Sequence, residues 1–162
     1  MGTNSLSYRT VEVSDLKKIC QLPENEEELF FMFPKAQFPL TVEQLEIAVR
    51  NRFDSTVILL NEEVVAFANF YEAEEGKHCS IGNAVVSFKH RNQGIGRFLI
   101  ETMEYIAIEQ YNVSELHLSC FNMNTKGILL YSKLGFSPYD IEQINDKYGN
   151  NVALLKMKKT IK

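Results

Sequence analysis

An α/β fold of the α+β kind, with a mixed but mostly antiparallel central sheet flanked by helices, is what this chain predicts. Three observations carry that expectation. The chain has 162 residues, 45% of them hydrophobic and 23% charged, which suits one domain (residues 1–162) with a real core. Strand-like runs follow one another at 55–60, 64–71 and 79–88 across short turns, as in an antiparallel meander. One strand–helix–strand crossover then runs from 79–88 through 95–110 to 115–121, which implies parallel neighbours at one place in the sheet.

The elements follow in order. Residues 7–13 alternate loosely between polar and apolar, as an early strand does. Ser14-Asp15 has the chemistry of a helix cap and leads into 16–22, and Pro23 ends that helix. The acidic run 24–28 suits a helix start running into 29–34, because carboxylates there complement the helix dipole. Thr41-x-x-Gln44 resembles a capping box opening a helix to about Arg52. The meander has turns at 61–63 and 73–77. The next helix brings Ile95, Phe98, Leu99, Met103 and Ile106 near one face at helical spacing. After the strand at 115–121, Asn124 or Thr125 caps a helix that Gly135 ends. Residues 139–144 and 152–157 read as a closing strand pair across a polar turn. The order is β-α-α-β-β-β-α-β-α-β-β.

Bulk properties exclude several classes. The net charge of -4 argues against a general affinity for nucleic acid. Cys20, Cys79 and Cys120 are odd in number and widely spaced, with no zinc-like pattern, so they read as reduced core thiols and no metal is expected. Residues 1–10 lack the apolar run of a secretion signal, and no stretch reaches the ~18 apolar residues of a membrane span, so a cytoplasmic location is expected.

The stretch Arg91-Asn92-Gln93-Gly94-Ile95-Gly96-Arg97 joins a strand to a helix. Amides at a helix N-terminus lack intrahelical partners, the dipole adds positive charge, and glycines let an anion approach the main chain. Lys89, His90, Arg91 and Arg97 surround the loop, either as phosphate ligands or as solvated charges. Leu99 breaks a dinucleotide fingerprint, and no Walker-type loop fits. The spacing is R-x-x-G-x-G, which resembles the acyl-CoA pyrophosphate loop of the GNAT superfamily of N-acetyltransferases. A second block, from Asn124-Thr125-Lys126-Gly127 through Tyr131 to Gly135-Phe136, is similar to that family's N-x-x-A-x-x-x-Y-x-x-x-G-F, with Gly127 at the usual alanine.

The resemblance implies a GNAT-like domain whose sheet contains a splayed parallel strand pair. It implies acetyl-CoA as cosubstrate. Main chain at Val86 and Phe88 would pair with the pantetheine arm, although the family often has proline where Phe88 stands. Amides across Gln93, Gly94, Ile95, Gly96 and Arg97 would hold the pyrophosphate. Asn124 would reach the pantetheine arm, and Tyr131 would lie near the sulfur, with core packing as its alternative. The implied partner is an amine-bearing substrate, a small molecule or a peptide or protein, for a monomer or homodimer. A non-catalytic acyl-CoA-binding regulatory module is the alternative function.

The implied chemistry makes three demands. A lysine-like amine has a pKa near 10.4, so about one in 2,500 is free base at pH 7 and a proton acceptor is needed. The thioester oxygen needs an N–H aimed at it, and the departing sulfur needs a proton, which Tyr131 is placed to supply. Strand 79–88 holds no carboxylate. Glu72 is the first candidate base, with a solvated residue beside a turn as the alternative; His78, His117 or a water chain are others. The acidic, aromatic segment 24–38 is either a rim attractive to cationic amines or a buried Phe cluster under a solvated turn.

Overall fold

Alternating apolar positions build seven strands into one sheet: β1 (Leu6–Thr10), β2 (Phe53–Leu60), β3 (Glu63–Glu74), β4 (His78–Val86), β5 (Glu115–Phe121), β6 (Ser137–Asn145) and β7 (Asn151–Thr160). This computed structural model describes residues 5–162; residues 1–4, the start of the segment read for a leader, lie outside the described residues. The spatial order is β1-β2-β3-β4-β5-β7-β6. Every neighbouring pair is antiparallel except β4 and β5, the pair that the crossover predicts.

Five helices cover the two faces: α1 (Leu16–Ile19), α2 (Glu26–Met32), α3 (Val42–Asn51), α4 (Ile95–Tyr111) and α5 (Thr125–Lys133). Three helices fill the chain between β1 and β2, at the three helical segments read from the sequence, although the expected element order counts two. Period-two alternation sends Phe67 to one face and Ala66, Ala68 and Phe70 to the other. On one face Leu99, Met103 and Ala107 of α4 pack on Ile58, Phe70, Ile81 and Leu118. On the other, Leu16, Ile19, Leu29 and Leu45 of α1–α3 pack on Val57, Phe67 and Val85. The α4 face is wider than expected, taking in Ile100, while Phe98 is only partly buried.

Local chemistry sets the helix starts. The Asn25 side chain accepts from Glu28 N–H at 2.9 Å at the head of α2, and three glutamates fill its first turn, so the acidic run is a helix start. Thr41 Oγ1 accepts from Gln44 N–H at 3.3 Å, but the Gln44 carbonyl takes Gln37 N–H at 2.7 Å, so the expected capping box is half made. Asp15 precedes α1, but its side chain caps the 3-10 turn Val13–Asp15 instead, accepting from Glu12 N–H at 2.7 Å. It takes two hydrogen bonds from the Arg9 guanidinium at 2.7 and 2.9 Å, which hold its carboxyl below the usual range against the opposing effect of burial.

Two bulges shape the sheet centre. In β4, Asn83 and Ala84 together face Ala68 of β3, and Asn83 has φ +51°. Its buried side chain accepts from Asn69 Nδ2 at 2.9 Å and donates to the Met32 carbonyl at 3.0 Å, tying the bulge to α2. In β3, Tyr71 is the extra residue between the Phe70–Ile81 and Glu72–Ser80 pairs. Asn83→Ala strands a buried amide and a carbonyl and puts alanine in a left-handed conformation. It is expected to cost about 2–4 kcal/mol. Urea unfolding measures this; a loss below about 0.5 kcal/mol contradicts the bulge anchor.

Candidate active site

β4 and β5 pair only over His78–Ile81 against Glu115–Leu118. Beyond that β4 bonds to β3 alone and β5 to β7 alone, so the parallel strands part and a wedge opens between them. The β5-facing edge of residues 82–86 has no strand partner. Helix α2 lies across this wedge. Its Met32 carbonyl holds Asn83 of β4, Phe30 stacks on Phe121 of β5 with ring centroids 4.4 Å apart, and Phe31 lies 6.4 Å from the same ring. With Phe33 packed against the α1–α3 core, packing accounts for three of the aromatic segment's four phenylalanines and leaves Phe38 exposed.

At the far end of the wedge β4 gives way to a 3-10 turn, Phe88–His90. Val86 is the last strand residue, so Phe88 lies outside the strand on which a pantetheine-pairing main chain was expected. Helix α4 begins at Ile95, where the crossover helix over 95–110 was expected to start. Gly94 is its N-cap in the left-handed conformation, φ +77°, with no side-chain cap. A β-carbon on Gly94 would meet nothing within 4 Å, so the turn is open above the first amides of α4. Gly96 is different: its β-carbon would lie 3.1 Å from Leu130 Cδ2, so its bareness lets α4 approach α5.

The basic neighbours of the loop are otherwise engaged. Arg91 gives two 2.7 Å hydrogen bonds to Glu28 and a third, at 3.3 Å, to the Val86 carbonyl. It fastens the loop to α2 and is not free for a phosphate. Burial is the largest single effect and opposes ionisation of Glu28, but the Arg91 hydrogen bonds, the Glu24 N–H and the charges of Arg91 and Lys126 together hold the carboxyl below the usual range. Arg97 pairs with Glu101 at 2.8 Å along its own helix. With these two arginines paired, the donors the turn leaves open to an anion are the main-chain amides at the start of α4.

Asn124 caps α5, its oxygen accepting from Gly127 N–H at 3.0 Å, which leaves its amide N–H groups for other use. A β-carbon at Gly127 would come within 2.6 Å of Asn124 Nδ2, which accounts for glycine at that position. Tyr131 is partly buried, edge-on to Phe136 at 6.1 Å, and its hydroxyl makes no hydrogen bond within the described residues. Burial, and secondarily Cys120, push its phenol up, so it is protonated at neutral pH. Burial likewise pushes the thiols up, to about 11 for Cys20 and about 12 for Cys79 and Cys120, as inert cysteines require.

The face of the sheet that carries α2 gathers the remaining titratable groups. Glu72 lies inside β3 rather than at its end. It accepts from the Ser80 hydroxyl at 3.2 Å and lies 3.8 Å from His78 Nε2. His78 stacks on His117 with centroids 4.4 Å apart, and His117 is 5.4 Å from the Tyr139 ring. Residues 72, 80 and 117 are thus in register across three strands, one row before the wedge opens. Sequence reasoning missed Arg52, Asn69 and Tyr71, which border the same row. The one available signal was Asn83, the only amide side chain on its strand.

These groups fit an acyl-CoA. The wedge has an unpaired main-chain edge, the α4 turn is an open amide cradle, and the Tyr131 hydroxyl is uncommitted. Gly94→Val forces a β-branched residue into the left-handed region and disturbs the turn that aims those amides. It is expected to weaken acetyl-CoA binding at least ~10-fold by calorimetry, and unchanged affinity in the folded variant contradicts the cradle.

Comparison with known proteins agrees in pattern and in fold. The sequence model of the Acetyltransferase (GNAT) family matches residues 17–136. Spermidine N-acetyltransferase from Vibrio cholerae, in complex with CoA and spermine, superposes with a TM-score of 0.79 at 18% identity, over 96% of this chain and 95% of that one. Ribosomal-protein-alanine N-acetyltransferase from Brucella melitensis gives 0.78 at 21% identity, over 96% and 99%. An acetyltransferase from Salmonella typhimurium with its cofactor acetyl-CoA gives 0.75 at 16%, over 98% and 95%. No curated protein sequence matches. Among the described residues no helix is long and apolar enough to cross a membrane. The family pattern runs through the glycine turn and the Tyr131 block, into which the parted strands β4 and β5 respectively lead: the chain belongs to the acetyltransferase (GNAT) family, whose enzymes use acetyl-CoA.

Proposed function

We propose that this protein is an N-acetyltransferase that moves the acetyl group of acetyl-CoA to a primary amine on a small molecule, peptide or protein. The observation that carries this reading is the wedge between β4 and β5, with an open helix N-terminus at one end and a protonated tyrosine beside it. Acetyl-CoA supplies an activated acetyl thioester. The amides of Gln93, Gly94, Ile95, Gly96 and Arg97 bind its pyrophosphate, and the free edge of β4 up to Val86 aligns the pantetheine arm. Asn124 offers amide donors to the same arm.

The protein then manages two protons and one developing charge. Glu72 takes the proton from the acceptor ammonium, directly or through water, because its carboxylate faces the side of the sheet opposite α4 and α5. A β4 amide at the bulge stabilises charge gathering on the carbonyl oxygen. Tyr131 donates a hydrogen bond to the departing sulfur. The test is thiol release from acetyl-CoA across a panel of amines, amino acids and peptides. Turnover with at least one amine is expected. Tight acetyl-CoA binding with no turnover on any acceptor would instead favour a regulatory acyl-CoA-binding module.

A further inference from the structure

Arg52, a half-buried cation on the α2 side of the sheet, has no carboxylate partner among the described residues. Arg52 follows α3 and reaches across the sheet to β4. Its guanidinium lies 5.6 Å from the centre of the Tyr71 ring and so close to Gly82 that a β-carbon there would be 2.5 Å from Nη1. Its recorded hydrogen bond goes to a neutral acceptor, Asn69 Oδ1, at 3.2 Å. Three cations on the same side have carboxylates: Arg91 has Glu28, Lys156 has Glu142 and Lys158 has Glu115. Among the described residues no carboxylate lies within 4 Å of Arg52.

A half-buried guanidinium is costly to leave unpaired, and burial lowers the Arg52 pKa accordingly. Four of its five N–H groups remain uncommitted, and their planar fork matches a carboxylate. Its position matters as much. Gly82 is the first β4 residue beyond the last parallel pair, Ile81–Leu118, so Arg52 borders the mouth of the wedge. The β3 bulge turns both Tyr71 and Glu72 to this face: Tyr71 carries Arg52, and Glu72 bonds Ser80, two residues back along β4.

We propose that the acetyl acceptor is a small amino acid, an amine with a carboxylate only a few bonds away, and that Arg52 binds that carboxylate while Glu72 receives the ammonium. This rests on the N-acetyltransferase reading. Two residues of strand separate the two groups' rows by about 7 Å. A small amino acid spans a similar gap, roughly 3 Å between its charges plus a charge-assisted hydrogen bond of about 2.8 Å at each end. A polyamine would meet an unshielded cation at Arg52, and a peptide N-terminus would offer it only a neutral amide.

The experiment compares free amino acids, their carboxamides, spermidine and short peptides as acceptors, with thiol release followed for wild type and Arg52→Met. At least one free amino acid should exceed its carboxamide in kcat/KM by about 10²-fold. Arg52→Met, which keeps the aliphatic stem, should collapse that ratio towards one. The wild-type comparison stands even if the variant misfolds. Turnover of spermidine or peptides with no free amino acid used would overturn the proposal and leave the acetyltransferase reading intact. So would an acid-to-amide ratio unchanged in folded Arg52→Met. No thiol release with any amine would overturn both.

Discussion

Tyr131→Phe is expected to lower turnover by about 10²-fold while acetyl-CoA affinity changes by no more than about twofold. The substitution keeps the ring and its edge contact with Phe136. It removes a hydroxyl that has no partner within the described residues, so no internal hydrogen bond is lost with it. Burial keeps that phenol protonated at neutral pH. A thiol has an ordinary pKa near 8.5, below that of the phenol, so the tyrosine shares its proton with a sulfur as charge builds there. Such a bond forms only as the thioester breaks, and its loss therefore falls on kcat. Turnover within about twofold of wild type would make Tyr131 a packing residue.

Glu72→Gln is the second large effect, also about 10²-fold at neutral pH. Its signature is the pH profile. Below the amine pKa, each unit rise in pH raises the free-base fraction about tenfold, so an enzyme lacking its base recovers rate as pH rises. The Ser80 hydrogen bond survives the change, since the glutamine oxygen still accepts, and the fold should be unaffected. A raised KM for the amine with unchanged kcat would assign Glu72 to binding. No effect on either would leave water or another side chain as the base.

The sequence carried the parts of this site that are local. The meander, the crossover and both family blocks are written in alternation, helical spacing and glycine placement, which act within a few residues. What escaped reading depends on partners far along the chain. Arg91 grips Glu28, 63 positions away, so a loop arginine that suggested phosphate is a fastener. The bulges at Asn83 and Tyr71 arise from strand register, which no single strand encodes. Arg52, at a helix end, reads as a solvated cation until the sheet brings Tyr71 and Gly82 beneath it.

The most direct measurement is a crystal structure with acetyl-CoA bound. The predicted complex has pyrophosphate oxygens within hydrogen-bond distance of amides at 93–97, the pantetheine arm along the free edge of β4 at 82–86, and the sulfur beside the Tyr131 hydroxyl. A cofactor bound outside the β4–β5 wedge, or with its sulfur remote from Tyr131, would contradict the account.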